Sequence, residues 1–194
     1  MKQKIQIRCK NNKKSQKVEI GSTLFDVFSS FDLKMTHGPV SARVNNKVEG
    51  MHYRVYNSKD VEFLDMNSAS GSRAYTRTLF FVLCKAVQDI YPNTDVVIDI
   101  PVSNGFYVDI RLGRPVVDED VNILRRSMQE IIDSKMPIRR FTVPTEEAIA
   151  LFQEKGDVEK VKLLRTSGSI YTTYYKIGEY VDYYYGTLLT NTSQ

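Results

Sequence analysis

Two histidines, His37 and His52, and two cysteines, Cys9 and Cys84, are all the imidazoles and thiols that this chain of 194 residues offers for metal ligation or catalysis. A metal-assisted hydrolase needs three or four ligands converging at short range, and the histidines stand in no H-x-x-x-H pattern and the cysteines in no C-x-x-C pattern. The spacing therefore predicts no metal site. It also provides no cysteine with a plausible histidine partner and no G-x-S-x-G elbow. Phosphate chemistry fares no better: neither G-x-x-x-x-G-K-[ST] nor G-x-G-x-x-G occurs, and Gly71, Gly105, Gly113, Gly178 and Gly186 are isolated. ATP chemistry is not encoded in these residues. Cys9 and Cys84 fall in an expected strand and an expected helix, which fits buried reduced thiols and an expected cytoplasmic location.

What charge there is lies unevenly. Lys2, Lys4, Arg8, Lys10, Lys13, Lys14 and Lys17 precede the first acid, Glu19, so a chain with a net charge of +4 carries seven of its cations in that opening arm and a net −3 beyond it. Lys10, Lys13, Lys14 and Lys17 are candidate contacts to phosphate or RNA, where neutralising cations drive salt-dependent binding. The same lysines would also keep a sheet edge from pairing with other chains. No run approaches the roughly 20 apolar residues of a membrane span, and the lysine-rich start lacks the hydrophobic segment of a signal peptide.

The elements that must position these groups are legible in the patterning. Residues 3–10 and 16–20 read as two strands around the polar turn Asn11-Asn12-Lys13-Lys14. Ser22 or Thr23 caps a helix in which Leu24, Val27, Phe28 and Phe31 form one apolar stripe. Short strands follow at 40–44, around Val48 and at 60–66. Asn67-Ser68-Ala69-Ser70-Gly71-Ser72 reads as a linker and helix start, and sets a boundary between domains 1–66 and 67–194.

From Arg73, the residues Tyr75, Leu79, Val82, Leu83, Ala86, Val87 and Ile90 predict a long central helix that ends at Tyr91-Pro92. Strands at 96–102 and 106–112 flank an expected Asn104-Gly105 hairpin turn. Asp118, Glu119 and Asp120 open a helix in which Val121, Leu124, Met128, Ile131 and Ile132 are expected to face inward. Residues 139–143 form a strand, Thr145 caps a helix that stops at Gly156, and 158–164 form one more. From Ser169 the chain holds seven of its twelve tyrosines among β-branched neighbours, which favours strands. The fold class is α+β: a small β-grasp domain, then an α+β domain with an antiparallel sheet packed on a long central helix.

Particular motifs carry resemblances. Gly21-Ser22-Thr23-Leu24, Ala42-Arg43-Val44-Asn45 and Asp60-Val61-Glu62-Phe63-Leu64 together resemble a TGS domain, a β-grasp module. Tyr91-Pro92-Asn93-Thr94, Asn104-Gly105-Phe106-Tyr107-Val108-Asp109 and Glu179-Tyr180-Val181-Asp182 resemble the second N-terminal region of threonyl-tRNA synthetase. That family hydrolyses mischarged tRNA with an H-x-x-x-H pair on a helix and a C-x-x-x-H pair just after E-Y-V-D. In ungapped register those four positions are Arg77, Phe81, Tyr184 and Leu188; one helical turn of shift places Arg73 and Arg77 at the histidine pair instead. Arginine stays protonated and cannot act as a general base, so either register abolishes that hydrolysis while leaving the fold. Lys160 and Asp182 match two further pocket residues of the family.

The resemblance implies a cleft lined by Arg77, Tyr107, Asp109, Lys160, Asp182 and Tyr184, with an aromatic face and cations suited to a base and a phosphate. Packing alone would make Phe81, Tyr184 and Leu188 core, and Lys160 with Asp182 an ion pair. As a combination, the two modules resemble the N-terminal half of bacterial uridine or nucleoside kinases. That implies a non-catalytic, cofactor-free region that senses a nucleoside or nucleotide or contacts RNA, with a kinase domain downstream in the same chain as partner, and ATP and magnesium confined to that domain. The alternatives are a tRNA-editing hydrolase and a plain RNA-binding module.

Overall fold

The computed structural model describes residues 3–36, 38–103 and 105–194, so the sequence features at His37 and Asn104 lie outside the described residues. The protein is mixed α and β, with several sheets and five helices among the described residues. It divides into two compact units, Met1–Met136 with Thr187–Gln194, and Pro137–Gly186. The junction read at 67–72 falls within the first of these.

The first unit opens with β1 (Lys4–Cys9) and β2 (Ser15–Glu19), followed by α1 (Leu24–Ser30), β3 (Ser41–Val44), β4 (Lys47–Gly50) and β5 (Lys59–Leu64). Their sheet runs β2-β1-β5-β3-β4, with β1 and β5 parallel and every other pair antiparallel. This is the expected β-grasp arrangement. Strand alternation drives it: Ile7, Cys9 and Val18 are buried, while Lys4, Gln6, Arg8 and Lys17 stay exposed. The buried set packs on Leu24, Val27 and Phe31 from α1, together with Met51, Val55, Val61 and Phe63. Thr23 caps α1 through a reciprocal pair of bonds, the Asp26 N–H to Thr23 Oγ1 at 3.2 Å and the Thr23 N–H to Asp26 Oδ2 at 2.8 Å.

Next come α2 (Ala69–Ile90), β6 (Val96–Val102), β7 (Gly105–Ile110) and α3 (Asp118–Asp133). The small polar residues before α2 form a cap. Ser68 Oγ donates to Asp65 O at 2.8 Å and accepts from the Gly71 N–H at 3.0 Å, while the Asn67 N–H donates to Asp65 Oδ1 at 3.0 Å. The helix thus starts four residues before Arg73. Its buried face includes Ala74, Thr78, Phe81, Val82, Lys85 and Ala86, whereas Ile90, from the expected stripe, is exposed. Strands β6 and β7 pair antiparallel as a separate two-stranded sheet, with a register shift between Ile98 and Pro101. Residues 187–194 return to this unit. Thr192 Oγ1 donates to Ile131 O at 2.8 Å and accepts from the Met136 N–H at 3.0 Å, and the Leu189 N–H donates to Thr78 Oγ1 at 2.9 Å.

The second unit holds β8 (Arg139–Pro144), α4 (Thr145–Glu154), α5 (Val158–Thr166), β9 (Tyr171–Ile177) and β10 (Tyr180–Tyr183), with sheet order β10-β9-β8 throughout antiparallel. Ala148, Ile149, Phe152, Val161 and Leu164 form its core, with Tyr174 and Tyr183 packed against them. Thr145 is the first residue of α4, not its cap. Its side chain is drawn inward, where Oγ1 donates to Ser169 O at 2.6 Å and lies 2.9 Å from Thr172 Oγ1. Gly156, at φ +74, stops α4 as its position suggested. No helix among the described residues is long and apolar enough to cross a membrane.

Gly71 is the tightest backbone approach here, since a Cβ at that position would run into the Asp65 carbonyl and come within 2.9 Å of Val40 Cγ2. Gly71→Ala is expected to destabilise the protein by about 1–3 kcal/mol, the usual range for forcing an added carbon into a packed site. Urea unfolding followed by circular dichroism checks this, and an unchanged midpoint contradicts the packing described.

Candidate functional site

Cys9 and Cys84 are buried thiols. His52 sits on a surface turn with its ring centroid 5.6 Å from that of Phe25, edge to face; partial burial, and then the nearby Arg54, lower its pKa. Among the described residues, no three His, Cys, Asp or Glu side chains gather as a metal site.

Arg77, Phe81, Tyr184 and Leu188 stand at the four positions that the resemblance would set against the editing histidines and cysteine. Phe81 and Leu188 are buried in the first unit at 0% and 2% exposure. Arg77 is half-buried on α2, and Tyr184, half-buried, follows β10 in the second unit. Inward hydrophobic side chains at two of the four places make that part of the scaffold core.

Lys160 and Asp182, both in the second unit, come together as an ion pair. Lys160 Nζ lies 2.9 Å from Asp182 Oδ1 and 2.6 Å from Asp157 Oδ2, and 5.8 Å from the Phe152 ring centroid. Asp157 also caps α5 by accepting the Lys160 N–H at 3.0 Å. Asp182 is buried and accepts from Tyr180 Oη at 2.8 Å and from the Tyr183 N–H at 2.6 Å. Burial of Lys160 pulls its pKa down, but Asp182 and Asp157 outweigh that and leave it raised. The ammonium is therefore engaged by protein carboxylates. The other cleft candidates belong to the first unit: Tyr107 is exposed on β7, and Asp109 pairs with Arg111 at 3.2 Å.

Lys10, Lys13, Lys14 and Lys17 are all exposed, on a hairpin held in place by its two asparagines. Asn11 Nδ2 donates to Phe63 O at 2.9 Å, its Oδ1 accepts the Phe63 N–H at 2.8 Å, and Asn12 Nδ2 donates to Phe31 O at 3.2 Å. Asn11 thereby continues the sheet with its side chain. The lysines ride on a fixed platform with no ion pair to a described carboxylate.

No family model matches the chain. Over 175 residues, 90% of its length, it is 30% identical to the threonine–tRNA ligase of Acetivibrio thermocellus. Over 192 residues, 98% of its length, it is 28% identical to that of Clostridium kluyveri, and over 184 residues it is 28% identical to that of Azobacteroides pseudotrichonymphae. The chain is similar to one stretch of the threonine–tRNA ligases. It spans 28% to 30% of the length of these relatives.

Two features of the first unit escaped sequence reading. Val121, Met128 and Ile132, expected to face inward, instead line an open groove of about 510 Å³ with Leu83 and Val108. The other is a buried carboxylate. Asp120 is 3% exposed and accepts two bonds from the Arg114 guanidinium at 2.7 Å, one from Tyr91 Oη at 2.7 Å and one from the Val117 N–H at 3.0 Å. In sequence it looked like an ordinary helix-start acid; Arg114, six residues earlier, was the available signal. The Arg114 guanidinium, then the Val117 N–H and Tyr91, hold the Asp120 pKa far below the usual carboxylate range.

Because folding lowers this pKa, the stabilisation is fully present above the ordinary carboxylate value of about 3.9 and is lost as pH falls through the depressed one. Asp120→Asn is expected to lower the thermal midpoint by several degrees at pH 7, with a gap to the parent that narrows as pH drops below about 4. Scanning calorimetry across pH 2–7 measures this, and a pH-independent gap would assign the loss to packing instead.

Proposed function

We propose that this chain is a tRNA-contacting, non-hydrolytic module, in which residues 1–66 form a TGS domain and 67–194 an editing-like domain that has lost its catalytic groups. The observation that carries the reading is similarity along 90% to 98% of the chain to proteins whose name is threonine–tRNA ligase. Arg77, Phe81, Tyr184 and Leu188 at the matched catalytic positions support binding without hydrolysis, because none of them serves as a general base near neutral pH.

The exposed hairpin lysines give the tRNA reading an electrostatic basis, since phosphate neutralisation supplies most sequence-independent affinity. These relatives favour it over a regulatory region of a uridine or nucleoside kinase. Engagement of Lys160 by Asp157 and Asp182 also leaves no free ammonium there for a nucleotide phosphate.

Fluorescence anisotropy with a threonine tRNA transcript tests the proposal. Binding at 50 mM salt is expected to weaken steeply towards 200 mM, and exchanging Lys10, Lys13, Lys14 and Lys17 for glutamine is expected to lower the slope of log K against log salt by about 3–4. Hydrolysis of seryl-tRNA is expected to stay at the uncatalysed rate. Absence of binding at 50 mM salt, or turnover that disappears in Asp182→Asn, overturns the assignment.

A further inference from the structure

The outward face of the five-stranded sheet carries a polar depression of about 310 Å³, lined by Gln6, Arg8, Ser15, Asn45, Lys59 and Asp60 among others. That is the lower end of the size of small-ligand sites and matches a single nucleotide unit. Its chemistry is mixed. Across the strands Arg8 stands opposite Ser15 on β2 and opposite Asp60 on β5, with Lys59 next along β5. Arg8 is exposed and forms no ion pair with a described carboxylate, while the half-buried Lys59 alternates to the other face of β5 beside Ile7.

Two hydrogen bonds fix the floor. The Gln6 N–H donates to Ser58 Oγ at 3.3 Å, and the Asp60 N–H donates to Asn45 Oδ1 at 3.0 Å. Asn45 itself is held in a left-handed conformation at φ 45, beside Asn46 at φ 74, in the turn between β3 and β4. With its oxygen engaged, the Asn45 amide retains its NH₂ as a donor.

We propose that this depression is a ribose–phosphate subsite that makes the chain favour RNA over DNA of the same sequence. The proposal rests on the tRNA reading above and gives it a place and a selectivity. Arg8 is a cation suited to a backbone phosphate, which its guanidinium can meet with two parallel donors. Asp60, an acceptor only, repels a phosphate but takes a hydrogen bond from a hydroxyl. The 2′-hydroxyl is the one sugar donor that DNA lacks along its backbone. A depression holding one cation and one carboxylate therefore matches a nucleotide with a ribose better than a bare anion, for which Asp60 would be a defect.

The test uses the full chain and two labelled single strands of twelve nucleotides, one RNA and one DNA of matching sequence, titrated by anisotropy at 100 mM salt. RNA is expected to bind about tenfold more tightly, the effect of roughly one buried hydrogen bond to a hydroxyl. In Asp60→Ala, which removes the acceptor, the RNA-to-DNA ratio falls towards one while DNA affinity holds or rises. Arg8→Ala weakens both polymers severalfold, and Arg8→Gln reads the same site should Arg8→Ala fold poorly. RNA binding that is insensitive to all three substitutions, or an RNA-to-DNA ratio of one in the parent, overturns the subsite and leaves the tRNA reading standing. Failure to bind either strand or the tRNA overturns both.

Discussion

A carboxylate withdrawn from water has to be satisfied completely or the fold pays several kcal/mol for it, and Asp120 in the first unit is satisfied completely. Its two oxygens collect donors from the end of α2 through Tyr91, from the connecting loop through Arg114, and from the start of α3 through Val117. These three points bracket the β6–β7 ribbon, a two-stranded sheet that would be marginal by itself. The ribbon, the loop and α3 thus keep their places relative to α2 because one charge cannot be left unpaired. The groove lined by Leu83, Val108 and Val121 follows from that arrangement, as its walls are contributed by those same pieces.

The second unit solves a similar problem with a different outcome. Lys160 and Asp182, which the resemblance would place in a pocket, pair with each other here while Asp157 closes the cluster. Truncating Asp182 would leave a partly buried ammonium with one partner fewer, and the polar contacts of Tyr180 and Tyr183 would lose their acceptor. Neither Lys160 nor Asp182 needs a substrate to explain its presence. The structural demand is sufficient, which moves the weight of the functional reading from this cluster to the exposed cations of the first unit.

Much of the fold was legible because local rules and tertiary packing agree. Alternation in β1 and β2, the Thr23 cap and the Gly156 stop are set by period and backbone preference, and each appears where the residues placed it. What escaped was set by partners distant in sequence. Asn11 and Asn12 read as turn formers, but their amides bond Phe63 and Phe31. Thr145 carried a capping signal that bonds to Ser169 and Thr172 overrode. Val121 and Met128 follow the helical period faithfully, yet the period shows only that a face is apolar, not that anything covers it. The candidate site suffered most, since a motif reveals which residues are kept and not whether they face a ligand or each other.

The closing residues look like a polar tail, but Thr192 ties off carbonyls at the end of α3 and Leu189 anchors to Thr78 on α2, so the first unit takes its last pieces from beyond the second. Pro137–Gly186 is thereby an insertion, leashed at both ends by a single continuous polypeptide. During synthesis the ribosome delivers every residue of the inserted unit before it delivers Thr192. The earlier-made unit must wait, with the Ile131 carbonyl unmet by Thr192, until its later-made guest has already been given the chance to fold.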